Sequence, residues 1–326
     1  MSREQDFEIN EDGVITKYTG TETNVVIPQA IRGIAVRAIG DWAFSEKKLV
    51  SVMIPEDVTK IGEYAFHGNQ LATVAIPECV TEIGDSAFCK NQLIALTIPG
   101  GVTRISENAF AENQLTKVII PDNVTEIGNW AFLGNRLTEL IIPNNVTAIG
   151  TMVFYQNQLT EITIPESVTK IGVGAFSENK LTSIVLPNSI TEIGGGAFAN
   201  NQLTKVTIPK SITKIDVGVF QYNTLTMVVI PEGVTEIGDF VFADNQLVNV
   251  VIPESITKIG GGAFNNNQLN SIAILGKVSL PRKSKSQYPN PAFDNGFDDF
   301  YKSGKKQSGT YLLKRIFKGK EWRIKE

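Results

Sequence analysis

One phrase recurs every 22 residues and leaves this chain few folds to choose from. It is clearest at residues 159–173, LTEITIPESVTKIGV. The full unit reads I-P-x-x-[VI]-T-x-I-G-x-x-A-F-x-x-N-Q-L-T-x-[VI]-x. Pro keeps one place from Pro55 to Pro253, Phe another from Phe44 to Phe264, and Leu a third from Leu49 to Leu269. A fixed period of 20 to 30 residues marks a solenoid, because each unit can bury its apolar side only against its neighbours. The expected fold is a repeat solenoid, α/β-type or mainly β, built of 22-residue units.

Within a unit, residue types assign the local structure. Leu159-x-x-Ile162-x-Ile164 alternates inward and outward as the main strand. Pro165 ends it, having no N–H to give to a central ladder. Val168-Thr169-x-Ile171-Gly172 predicts a second extended segment on the opposite side of the coil, with Gly172 permitting the tight turn that follows. Ala175-Phe176 puts a small and a large residue into the core, on an expected helical or 3₁₀ turn. Asn fills one place in ten consecutive units, Asn69 to Asn267, and predicts amide side chains that satisfy turn backbone groups. Ser106 and Asp216 replace the turn Gly, changes the stack is expected to absorb.

Both ends depart from the pattern. Residues 1–26 are expected to form an N-terminal β-hairpin cap around Asp12-Gly13. Residues 27–274 form the solenoid of eleven units, the first widened by extra residues near 31–36. Residues 275–326 are a basic loop and C-terminal cap. There, 282–290 (RKSKSQYPN) reads as a flexible loop, Phe297, Phe300 and Tyr301 fall at helical spacing, and 310–324 reads as a hairpin. A solenoid end exposes apolar cross-section and strand edges, so caps are expected.

The net charge of −4 conceals a split. Residues 275–326 hold 13 Lys+Arg against 5 Asp+Glu, and the remainder 17 against 29. An acidic solenoid argues against nucleic acid as its partner, while the basic tail can meet anions, anionic lipid or nucleic acid. No apolar run approaches the ~20 residues of a membrane span. The polar start MSREQDFEIN carries no signal peptide, which leaves open a mature form whose signal is gone. Enzyme chemistry finds little support: His67 is the single histidine and no phosphate-cradling GxxxxGK[ST] stretch occurs. No cofactor or metal site is expected. Cys79 and Cys89 lack CxxC spacing and are read as incidental surface thiols, with a disulfide between them as the alternative.

Residues 25–274 carry the IPxxVTxIGxxAF phrase almost without interruption. On these residues the chain resembles the BspA-like leucine-rich repeat family of bacterial surface proteins. The opening Ile15-Thr16-Lys17-Tyr18-Thr19-Gly20, followed by Val26-Ile27-Pro28, is also similar to that family's start. The resemblance implies secretion, surface display, and adhesion to host matrix proteins or to other cells. Members often carry Cys near the turn before the repeat Leu, where this chain has Asn. The architecture expected is a curved, right-handed leucine-rich-repeat coil with a parallel concave sheet.

Strands stacked about 4.8 Å apart turn each repeat position into a column. The outward residues of the main strand, Met53, Ala75, Thr97, Ile119, Ile141, Thr163, Val185, Thr207, Val229, Val251 and Ala273, carry no charge. Such a stripe marks an interaction surface if exposed, though Val, Ile and Thr also simply suit parallel strands. Two positions earlier, charges gather at Lys117, Glu139, Glu161 and Lys205. The candidate partner-binding residues are Lys117, Ile119, Glu139, Ile141, Glu161, Thr163, Val185 and Lys205. A third column, from Lys60 and Glu82 to Lys258, alternates in sign except across Ala148 and predicts an ion-pair ladder that fixes register. Thr59 to Thr257 predicts a hydroxyl ladder. The expected function is non-catalytic protein binding, as a secreted or surface adhesin recognising host matrix or cell-surface proteins through the concave sheet. The alternative is a structural module with weak self-association.

Overall fold

The computed structural model describes residues 3–281, 292–293, 297–303, 307–316 and 319–324. The loop read at 282–290 lies outside them. The chain divides into two compact units, Met1–Ser167 and Val168–Glu326. Each is a parallel-strand β-solenoid of repeated 22-residue turns, with almost no helix.

Main strands pair in register, one turn apart. In the first unit Asn24–Val26 pairs with Ser51–Met53, and Ala95–Thr97 with Lys117–Ile119. In the second, Lys205–Thr207 pairs with Met227–Val229, and Asn249–Ile252 with Ser271–Ile274. These ladders come in twos, and Ile141 meets Thr163 through a lone bridge.

The short strand after Pro builds the longer ladders. In the first unit Val14–Tyr18, Ala38–Ile39, Lys60–Ile61 and Glu82–Ile83 pair in order. Arg104–Ile105, Glu126–Ile127 and Ala148–Ile149 form the next run. In the second unit Lys170–Ile171 pairs with Glu192–Ile193, and Lys214–Ile215, Glu236–Ile237 and Lys258–Ile259 follow as a separate run.

The break inside each unit coincides with a missing turn glycine. Gly62 and Gly84 donate their N–H to Ile39 and Ile61 one turn back, both at 2.8 Å. A Cβ on Gly84 would lie 2.6 Å from the Glu63 nitrogen and from the Gly62 carbonyl carbon. The glycine therefore serves close approach between turns, not a left-handed backbone. Where Ser106 carries a Cβ, its hydroxyl takes over and donates to the Ile83 carbonyl at 2.6 Å. The ladder stops there, and again before Asp216. These replacements are not absorbed without trace.

The Ala-Phe step is not helical. The residue before Ala is left-handed, as at Tyr64 (φ 53), and so is the one before Asn, as at Lys90 (φ 57). A left-handed residue in this place ends any helical run. It costs a residue with a Cβ roughly 1–2 kcal/mol. Alternate N–H groups of the turn point along the stack instead: Tyr64 donates to Asp85 and Phe66 to Ala87, both at 2.8 Å.

The core is a column of Phe rings. From Phe44 to Phe154 in the first unit they are buried, and from Phe44 to Phe132 neighbouring centroids are 5.1 to 5.8 Å apart. In the second unit the stack runs from Phe176 to Phe293. Offset stacking adds about 0.5–1.5 kcal/mol per pair beyond burial. Around the rings, the repeat Asn laces turns together. Asn91 accepts the Leu71 N–H and donates to the carbonyls of Phe66 and Phe88.

Both stacks end in aromatic covers. Phe7–Ile9 and Val14–Tyr18 pair antiparallel, and Tyr18 stacks on Phe44 at 5.3 Å. The widened first turn folds as a small ribbon, Ala30–Ile31 against Ile34–Ala35. At the other end Ser271–Ile274 pairs with Gly309–Ile316, which pairs with Gly319–Ile324. The helix Phe297–Ser303 places Phe297 edge-on against Phe293, Tyr311 and Trp322. Asp298 is buried and accepts the N–H groups of Ala292 and Phe293. Burial pushes its carboxyl up from the usual value, against those two hydrogen bonds and Lys302.

Candidate functional site

The outward column of the main strands is open to solvent. In the first unit Met53, Ile119 and Ile141 are exposed, Ile141 by 84%. In the second unit Val185 is 82% exposed, and Val229 and Val251 by about half. Their inward neighbours, such as Val118, Leu140 and Ile184, are buried, so the strand alternation puts these apolar groups outside. Thr163 is also exposed. A hollow of about 340 Å³ opens beside Ala75 and Thr97.

The charged candidates behave differently. Lys117 and Glu139 form an ion pair at 3.2 Å on two adjacent turns. Both side chains remain largely exposed, so the pair contributes ~0–1 kcal/mol. Glu161 is exposed in the first unit and Lys205 in the second. The structure thus brings together Lys117 with Glu139 and Ile141 with Thr163, while Val185 and Lys205 belong to the other unit.

The alternating column forms the ion pairs its signs predict: Lys60–Glu82 at 2.8 Å, Arg104–Glu126 at 3.3 Å and Lys170–Glu192 at 3.0 Å. The Thr column bonds hydroxyl to backbone carbonyl. Thr81, Thr125 and Thr191 each donate Oγ1 to the backbone carbonyl of the Thr one turn back.

The cysteines require a correction. Both are free; Cys79 is exposed, but Cys89 is buried. It fills an inward corner that other turns give to Ala111, Ala199 and Ala243. Burial pushes its thiol up to about 11. Among the described residues no group of three or more His, Cys, Asp or Glu could hold a metal, and no helix is long and apolar enough to cross a membrane.

The corner after the turn glycine lies outside the strands that the repeat pattern marks. Trp42 and Tyr64 stack there at 4.0 Å with ring planes 5° apart, and Trp130 occupies the same repeat place. The signal was present as G-x-[WY]-A-F, but it lay outside the strands.

Residues 37–160 and 148–270 match the family described as BspA type leucine rich repeat region, in six copies. The chain belongs to this BspA-type leucine-rich repeat family. Among solved structures it is similar to a leucine rich cell surface protein from Faecalibacterium prausnitzii A2-165, at 30% identity and a TM-score of 0.50. That match covers 83% of this chain and 93% of the other. A leucine-rich repeat protein from Bacteroides ovatus is 22% identical with a TM-score of 0.54, over 81% of this chain and 85% of the other. The pneumococcal vaccine antigen PcpA is 17% identical with a TM-score of 0.56, over 82% and 78%. These last two share the fold. No curated protein matches the BspA-type chain.

Proposed function

We propose that this protein is a non-catalytic, protein-binding solenoid of the bacterial surface, an adhesin for host matrix or cell-surface proteins. The observation that carries this reading is the exposed apolar column, with Ile141 and Val185 more than four-fifths open to solvent. Exposed apolar surface of this kind, present within each unit, marks interaction sites. Membership of the BspA-type family and the likeness to a cell surface protein support the location. Where main strands pair within a unit, as Ala95–Thr97 does with Lys117–Ile119, the column is held in place and binding orders little on this side.

The test is binding to immobilised fibronectin, fibrinogen and collagen. Ile119→Lys with Ile141→Lys probes the first unit, and Val185→Lys the second. All three positions are solvent-facing, so circular dichroism should stay unchanged. Loss of binding in either variant supports the reading. Unchanged binding in both, or no binding by the native protein, removes it.

A further inference from the structure

We propose that the first unit carries a second site, at the corner after the turn glycine, that binds a neutral polysaccharide. It is independent of the main-strand column. The starting observation is Trp42. One face of its indole is covered by Tyr64 at 4.0 Å, yet the side chain is 55% exposed. The exposed part is therefore the opposite face and the ring edges. A pyranose ring presents C–H groups on one side, and these pack on the negative face of an aromatic ring.

The fold does not ask for aromatics here. Trp42 and Tyr64 sit at the left-handed place before Ala, with φ 59 and 53. In the second unit Gly174, Gly196 and Gly218 fill that place with no penalty. Large side chains stand where glycine would suit the backbone better, and Trp42 stays more than half exposed.

Next to Trp42, Asp41 lines two hollows that run along the stack. One, of about 390 Å³, lies toward Thr16 and the N-terminal hairpin. The other, of about 420 Å³, lies toward Asp85 and Arg104. They share Asp41, Lys60 and Gly62. Volumes of ~300–1,000 Å³ suit small-molecule groups.

The mixture of charges selects the ligand. Asp41, Glu63, Glu82 and Asp85 outnumber Lys60 and Arg104 in this lining and oppose an anionic polymer. A neutral polyol can donate to the carboxylates and accept from the N–H groups that Lys60 and Arg104 do not give to Glu82 and Glu126. Asp41 uses Oδ1 to accept the Glu63 N–H at 2.8 Å, and its Oδ2 faces no hydrogen bond among the described residues. An extended polysaccharide fits the run of hollows along successive turns better than a free monosaccharide does.

Affinity electrophoresis tests this directly. The probes are hydroxyethyl cellulose, xylan and galactomannan, with polygalacturonate as the anionic comparison. At least one neutral polymer should retard the native protein, and polygalacturonate should not. Trp42→Gly should raise the apparent Kd at least tenfold while leaving the circular dichroism spectrum unchanged, since glycine already serves this place in other turns. Ile119→Lys with Ile141→Lys should bind the polymer as the native protein does, which separates this site from the main-strand column. Retardation by no neutral polymer overturns the proposal. So does equal binding by Trp42→Gly, or equal retardation by polygalacturonate.

Discussion

The side-chain oxygen of Asn135 accepts the Leu115 N–H of the preceding turn at 3.0 Å. The same amide donates to the carbonyls of Phe110 and Phe132, at 3.0 and 3.1 Å. One buried side chain therefore closes its own turn and fastens it to the one before.

Asn135→Ala orphans the buried Leu115 N–H and removes the donor to two carbonyls. Each unsatisfied buried group costs about 1–3 kcal/mol. The expected loss is at least about 2 kcal/mol, read as a lower denaturation midpoint in urea. A midpoint within error of the native protein would show that the amide serves no fastening role.

The turn glycine makes an opposite pair of predictions. Gly84→Ala places a Cβ 2.6 Å from the Glu63 nitrogen, so the ladder must open. We expect a loss of roughly 1–3 kcal/mol and faster hydrogen exchange at the residue 84 amide. Ser106→Gly should do the reverse locally. The residue 106 amide gains the Ile83 carbonyl that the Ser hydroxyl now occupies, and its exchange should slow. Unchanged exchange in both variants would detach the ladder breaks from these positions.

Much of this was legible in the sequence, for a physical reason. Phe66 recurs because its ring must stack on Phe88 of the next turn, and Asn69 because it must accept the Leu49 N–H of the turn before, so period alone identifies core and lacing. The exposed column of Ile119, Ile141 and Val185 follows from strand alternation in the same way. The role of Gly62 and Gly84 was not legible, because it depends on clearance between adjacent backbones, and spacing does not report clearance. The left-handed corner hid for a related cause: Trp42 and Tyr64 occupy a backbone state that residue type alone argues against. Sequence alone marks Cys89 as a surface thiol, because its column tolerates Ser, His and Asn as well as Ala. Its burial depends on what its own corner packs against.

That burial has a chemical consequence. Cys89 is buried with its thiol pushed up to about 11, while Cys79 is exposed. The thiolate is the reactive form. At pH 8 a disulfide reagent such as dithionitrobenzoate should titrate one thiol promptly in the folded protein and the second only in denaturant. Cys79→Ser should abolish the prompt reaction. Two prompt thiols in the native protein would place Cys89 at the surface after all.

His67 gives the fold a pH dependence that can be isolated, because it is the single histidine. Its ring lies edge-on to Tyr64 at 5.4 Å, and its Nδ1 is buried without a hydrogen-bond partner. Burial pushes its pKa below 6.5, helped by Lys90 and opposed by Glu46 and Glu112. The unfolded chain then binds the proton more readily than the folded one. Between the folded value and 6.5, stability rises with pH, and it is lost as pH falls through that window. His67→Ala removes the titrating group at a place where Ala111 and Ala199 stand in other turns. The native profile minus the variant's should decline from pH 6.5 downward, and the imidazole resonance should titrate with a midpoint below 6.5. A flat difference profile, or a midpoint at or above 6.5, would mean that the ring is hydrated in the folded protein.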